Sequence, residues 1–242
     1  MNAPAQSVLS AKELRLGYGD LVAVWGADLE VFAGRTTALL GRNGAGKTTL
    51  LSGLLGLLPA KSGTVTLHGV DVTKRKPWHR VGMGIGIVQE GKRVFKNLTV
   101  QENLTVSLPG GISRKRHAEL LERTWEDFPV LADRRSQLGA ELSCGQQQML
   151  SIATAVCRDP TVLLVDEPSS GLSPVAVEQV FEVLGKLKQS GLAILLVEQQ
   201  IDEVLDGNAD DIVVIDQGRI VLTSPASEVS ADEIAVMILG AV

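Results

Sequence analysis

Thr36-Thr37-Ala38-Leu39-Leu40-Gly41-Arg42-Asn43-Gly44-Ala45-Gly46-Lys47-Thr48-Thr49 is the stretch on which the fold turns. Residues 36–40 read as a short buried strand. Residues 41–48 fit G-x-x-x-x-G-K-[ST], and an uncharged helical run from Thr48 to Leu58 continues to Pro59. Glycines at 41, 44 and 46 let backbone N–H groups close around phosphate oxygens. The positive end of the following helix adds to the attraction. Residues Gly41, Arg42, Asn43, Gly44, Ala45, Gly46, Lys47, Thr48 and Thr49 are therefore the expected phosphate cup. Lys47 is placed for the outer phosphates and the Thr48 hydroxyl for Mg²⁺.

A second apolar run, Val162-Leu163-Leu164-Val165, ends in Asp166-Glu167. A strand that ends in a carboxylate can set that group beside a phosphate loop. Asp166 is the expected metal-side acid, and Glu167 the expected activator of an attacking water.

The 242 residues are 45% hydrophobic and 21% charged, which suits one large α/β domain or one domain with an inserted lobe. Aromatic residues make up only 3%, with Tyr18 the single tyrosine, so the core must be aliphatic. A net charge of −5 and a pI near 5.3 argue against a nucleic-acid partner. Two cysteines, Cys144 and Cys157, make no disulfide scaffold and suggest a reducing compartment. The first residues lack a secretory pattern, and the uncharged stretch between Lys47 and Lys61 is too short to span a bilayer. The expectation is a soluble cytoplasmic chain that something else must hold at any membrane it serves. The three histidines, His68, His79 and His117, have no metal-ligand spacing.

Outward from the loop, Leu14 to Val31 suggests strands and turns, and Thr64 to Leu67 a half-buried strand. Helical patterns run from Arg114 to Asp127 and from Gly145 to Cys157. Ser173-Pro174 reads as a helix N-cap and first position, Gly191 as the stop, and Leu192 to Val197 as the next strand. Ile212 to Ile215 and Ile220 to Leu222 flank Gln217-Gly218 as a hairpin, and a last helix covers 231–239. Residues 8–90 and 159–242 are the expected core, and 91–158 a helical subdomain.

Leu142-Ser143-Cys144-Gly145-Gln146-Gln147-Gln148 opens a helix ahead of Asp166 and resembles the LSGGQ signature of ABC-transporter ATPases. Val88-Gln89-Glu90-Gly91-Lys92-Arg93-Val94-Phe95, Leu98 to Leu104, Asp166 to Pro174, and Leu195-Leu196-Val197-Glu198-Gln199 sharpen this. Together they resemble the LivF-type ATPase of branched-chain amino acid importers, with a urea importer ATPase as a close alternative. The resemblance implies an α/β P-loop NTPase core with an antiparallel β subdomain and an inserted helical subdomain. It implies ATP and Mg²⁺, with Ser143, Gly145 and Gln146 completing the ATP site of a facing subunit. Tyr18 is the implied adenine platform, and a flat ring on a glycine-flanked turn suits that role. Gln89 or Glu90 stands near the metal, and Gln199 where a switch histidine is usual. Trp25 and Phe32 are the other aromatic candidates for adenine.

The implied partners are a second ABC ATPase subunit (a hetero-pair, or a homodimer in isolation), membrane permease subunits and, indirectly, an extracytoplasmic solute-binding protein. The implied place is the cytoplasmic face of the cell membrane. Cys144, Glu90 and Gln199 depart from the commonest motifs and support a second reading, a nucleotide-binding regulatory subunit with little hydrolysis. Soluble ABC ATPases of DNA repair or translation are disfavoured, because this length leaves no room for a coiled-coil insertion or a second ATPase domain.

Overall fold

The computed structural model describes residues 7–239. The first half contains β1 (Ser7–Tyr18), β2 (Leu21–Phe32), β3 (Thr36–Leu40), α1 (Lys47–Leu55), β4 (Ser62–Leu67), β5 (Val70–Asp71), α2 (Pro77–Gly82) and β6 (Ile85–Val88). Helices α3 (Val100–Ser107), α4 (Arg114–Asp127), α5 (Pro129–Ala132) and α6 (Cys144–Val156) follow. The chain then alternates through β7 (Val162–Asp166), α7 (Pro174–Gln189), β8 (Ala193–Glu198), α8 (Ile201–Leu205), β9 (Asp211–Asp216), β10 (Arg219–Pro225) and α9 (Ala231–Leu239).

Two sheets result. One has four antiparallel strands in the order β2-β1-β4-β5, and the other six in the order β10-β9-β3-β8-β7-β6. From β9 to β6 every neighbouring pair in the larger sheet is parallel. The parallel strands β3, β7 and β8 are buried along their whole length. That matches their continuous Val, Leu and Ile runs, because helices or a second sheet cover both faces. One apolar cluster joins the larger sheet to α3–α7, with Phe128, Met149 and Leu150 among its members. The other lies between the two sheets and α1, around Leu14, Leu50 and Leu54. Neither contains a tyrosine, as the sparse aromatic content requires.

Register decides which residues meet. Leu40 of β3 pairs with Glu198 of β8, and Asp166 of β7 with Val197. Gly41, Glu167 and Gln199 therefore leave the sheet side by side at its carboxyl edge. That edge is where open α/β sheets bind ligands.

Several expectations need correction. The helix begun at Thr48 was expected to reach Leu58, but it ends at Leu55. Gly56 takes φ +77° and its N–H bonds Gly53 O, while Leu57 and Leu58 N–H fold back on Ser52 O. A left-handed C-terminal glycine stops the helix before Pro59 can. The signature helix starts at Cys144 with Ser143 as its N-cap, one residue earlier than its pattern suggested. Ser173 and Pro174 occupy the N-cap and first position of α7, but the Ser173 side chain makes no capping bond. The 14–31 region, read as strands and turns, forms one long hairpin with irregular register. Helices α2, α3, α5 and α8 have no counterpart among the helical patterns of the sequence. For α3 the signal was present: Thr99 and Glu102 form a capping box, with Glu102 Oε2 accepting the Thr99 N–H at 2.7 Å.

The end of α1 is held by Arg80, which is 2% exposed. Its Nη1 donates to Gly53 O at 2.9 Å and Leu54 O at 2.6 Å, Nη2 to Thr73 O at 2.9 Å and Nε to Arg75 O at 3.1 Å. A cation at a helix C-terminus satisfies last-turn carbonyls and complements the helix dipole. Burial lowers its proton affinity, and Asp71 works in the opposite direction.

Candidate functional site

The phosphate loop is shaped by contacts with distant chain. Gly44 and Gly46 have φ +81° and +112°, conformations that side chains disfavour. Gly41 is constrained differently: a Cβ there would lie 2.3 Å from Ile215 O of β9. The loop is tied outward by Gly218 N–H to Ala45 O at 2.8 Å, and Trp25 N–H to Gly218 O at 2.7 Å. Thus β2 and the β9–β10 turn brace the cup, a support not legible in the glycine motif.

Lys47 is 5% exposed. Its Nζ donates to Gly41 O at 2.7 Å and Arg42 O at 3.3 Å, and lies 3.8 Å from Glu167 Oε1. Burial lowers its proton affinity more than the nearby acids Glu167, Asp166 and Glu198 raise it. Glu167 itself has φ +44°, a left-handed conformation that costs a side-chain-bearing residue about 1–2 kcal/mol. Its N–H is held by Val197 O at 2.9 Å, and the Gln199 Nε2 amide donates to its Oε1. The structure therefore brings together Lys47, Glu167 and Gln199, which lie far apart in sequence.

Thr48, Gln89, Glu90, Arg93 and Asp166 share the lining of one cavity of about 170 Å³. Asp166 is pushed up to about 6, first by burial and then by the charges of Glu167 and Glu90, with Lys47 opposing. Concentrated negative charge beside a hydroxyl suits a hard divalent cation, since Mg²⁺ favours oxygen ligands and takes few from protein. The residues present thus fit Mg²⁺. No group of three or more His, Cys, Asp or Glu placed to hold a metal ion by itself is found among the described residues.

The raised value of Asp166 has a stability consequence. Its proton is held more tightly in the folded chain than at the ordinary value of 3.8. Its contribution to stability is therefore fullest below that value and is lost as pH rises through about 6. Asp166→Asn is expected to raise the urea midpoint at pH 7 in the absence of divalent ions and to flatten its pH dependence between 4 and 6. An unchanged pH profile in urea melts would contradict this.

Tyr18 ends β1 and is 56% exposed. Trp25 is engaged otherwise, with the guanidinium of Arg15 4.6 Å and that of Arg219 5.7 Å from its ring centre. Phe32 lies at the far end of β2, next to the turn into the start of β3, opposite the phosphate loop. Of the three aromatic candidates, Tyr18 is the most exposed, whereas Trp25 carries two guanidinium groups and Phe32 lies at the other end of β2.

Ser143, Gly145 and Gln146 lie at the start of α6, and no hydrogen bond among the described residues joins them to the Lys47 cluster. Ser143 and Gln146 cap each other, Ser143 N–H donating to Gln146 Oε1 at 3.0 Å. Gly145 is required by packing, since a Cβ would meet Ala176 Cβ of α7 at 2.8 Å. Cys144 is exposed. Lys92, to which the sequence assigned no role of its own, donates from Nζ to Ser170 O at 3.0 Å and links the Gln89 segment to the loop after Glu167.

A glycine loop at a helix start, a buried lysine and an acid pair at the carboxyl edge of a parallel sheet define a P-loop nucleotide-hydrolysing fold. The chain belongs to the ABC transporter family, whose description matches residues 24–170. It is similar to the high-affinity branched-chain amino acid transport ATP-binding protein BraG of Pseudomonas aeruginosa, 37% identical over 217 residues, covering 89% of this chain and 91% of the relative. It is similar also to the probable branched-chain amino acid transport ATP-binding protein LivF of Archaeoglobus fulgidus, 34% identical over 93% of this chain and 95% of the relative. Among solved structures, a nucleotide-free ATP-binding cassette from an ABC transporter superposes with a TM-score of 0.83 at 26% identity, covering 97% of this chain and 95% of that one. The chain is accordingly an ATPase whose hydrolysis is coupled to transport.

Proposed function

We propose that this chain powers uptake of branched-chain or other hydrophobic amino acids across the cytoplasmic membrane. The observation that carries the reading is similarity to two branched-chain amino acid transport subunits along about nine-tenths of both chains. The chain would sit on the cytoplasmic face, held by permease subunits and paired with a second ATPase subunit, while a solute-binding protein outside supplies the substrate. No helix among the described residues is long and apolar enough to cross a membrane, so anchoring would fall to those partners.

In this reading the amides of residues 41–49 and Lys47 bind the ATP phosphates. Thr48 and Asp166 would hold Mg²⁺, with Gln89 or Glu90 alongside. When bound, the ion neutralises charge between phosphate oxygens. Glu167 accepts the proton of the attacking water, and Gln199 fixes the Glu167 carboxylate through the contact described above. Ser143 and the first amides of α6 would serve the site of the facing subunit, which accounts for their separation from Lys47.

Uptake of labelled leucine and of labelled urea by cells lacking and regaining this chain tests the substrate. Leucine uptake that depends on the chain supports the reading, and dependence of urea uptake alone overturns it. Tyr18→Ala is expected to raise the Kd for ATP by the loss of one base stack, about 1–3 kcal/mol, and to leave tripolyphosphate affinity unchanged. Equal ATP affinity in calorimetry would reduce Tyr18 to a strand-end residue.

A further inference from the structure

Strand β8 reads Ala193-Ile194-Leu195-Leu196-Val197-Glu198, five apolar residues and then an acid, and all six are buried. Glu198 is 2% exposed. No cation pairs with it among the described residues. A carboxylate taken from water into such surroundings is costly unless each oxygen finds a donor. Both do, and both donors are backbone amides: Ser169 N–H reaches Oε1 at 3.1 Å and Gln199 N–H reaches Oε2 at 3.2 Å.

These two amides belong to the two segments that carry the reaction. Ser169 lies two residues after Glu167, in a loop whose turns are closed by Ser170 N–H to Glu167 O and Leu172 N–H to Ser169 O. Gln199 supplies the side chain that bonds Glu167 Oε1. The backbone of Glu167 is pinned by Val197 O, and its left-handed φ of +44° persists only if its surroundings impose it. Glu198 grips the backbone of both segments at once.

We propose that Glu198 is a positioning residue for ATP hydrolysis, its two carboxylate oxygens holding the Ser169 loop and Gln199 in the register that sets Gln199 against Glu167. It touches neither nucleotide nor water and acts through its neighbours. The inference rests on the reading of Glu167 as the base. Burial raises the proton affinity of Glu198, and the N–H bonds from Ser169 and Gln199 offset part of that rise, as expected of a carboxylate kept inside by its donors. Glutamine has the same shape but one acceptor fewer. Its NH₂ would face one of the two amides and release one segment.

Three variants of the full-length chain test this: Glu198→Gln, Gln199→Ala and the double variant, with ATPase rate, ATP Kd and urea midpoint measured for each. Glu198→Gln is expected to lower kcat by about 10- to 100-fold, the scale of a misplaced catalytic group, with ATP Kd and urea midpoint little changed. In the Gln199→Ala background the same substitution should cost far less, because the group it positions is gone. Unchanged kcat, a parallel loss of ATP affinity or stability, or full additivity in the double variant would each overturn the proposal. Wild-type turnover in Glu167→Gln would instead overturn the base assignment, which separates the two failures.

Discussion

Glu167→Gln is expected to bind ATP with near-normal affinity and to turn it over 10²- to 10⁴-fold more slowly, the usual effect of removing a general base and roughly 3–5 kcal/mol of barrier. The geometry makes this substitution a clean test. Glutamine keeps an oxygen that can accept the Gln199 Nε2 amide, so the contact between the two residues survives. Lys47 loses an ion pair at 3.8 Å but keeps its bonds to Gly41 O and Arg42 O. What disappears is the ability to accept a proton. Single-turnover hydrolysis beside equilibrium ATP binding is the measurement. Wild-type hydrolysis in the variant would remove Glu167 from the base role.

Arg80→Met should produce the largest loss of stability without touching any group that meets nucleotide. Four charge-assisted hydrogen bonds to Gly53, Leu54, Thr73 and Arg75 carbonyls are lost together. Gly53 O retains the Gly56 N–H, so Leu54 O is the carbonyl of α1 left most exposed to the loss. A buried acceptor deprived of its partner costs about 1–3 kcal/mol. With several acceptors affected, the sum is on the order of 3–5 kcal/mol. A clearly lowered urea midpoint is the expected result, with Arg80→Lys restoring part of it because an ammonium lacks the planar fork. An unchanged midpoint for Arg80→Met would show that water or neighbouring backbone replaces the guanidinium.

The two residues differ in how they could be found. Glu167 stands in a motif next to Asp166 at the end of an apolar run, so its candidacy as the base was readable from chain neighbours alone. Arg80 stands among Lys74, Arg75, Lys76 and His79, where a surface charge run is the ordinary reading. Only the packing of α2 against the end of α1 turns it into a cap. Glu198 is intermediate: an acid ending the run Ala193 to Val197 was a visible anomaly, but the amides it serves come from residues 169 and 199. Gly41 shows a motif position with a second cause, since its lack of a side chain is also demanded by Ile215 O of β9. The end of α1 at Gly56 is a local signal, because a glycine free to take φ +77° stops the helix ahead of Pro59.

The amino-acid sequence by itself determined the features set by residues close in the chain. These were the glycine loop and the helix it opens, the apolar strands ending in acids, and the β9–β10 hairpin at Gln217-Gly218. Such features depend on backbone freedom, side-chain period and capping over a few residues. The tertiary structure alone decided that Glu167, Gln199 and Lys47 converge, that Glu198 accepts the Ser169 and Gln199 amides, that Trp25 carries Arg15 and Arg219 on its ring while Tyr18 is the more exposed aromatic, and that Ser143 lies apart from Lys47. The convergence at Glu167 and the grip of Glu198 depend on the parallel register of β3, β7 and β8, and the Arg15 contact on Trp25 depends on the antiparallel pairing of β1 with β2. Those long-range pairings are set by burial of nearly interchangeable Val, Leu and Ile side chains, which specify that strands pack without stating which polar residues their ends will bring together.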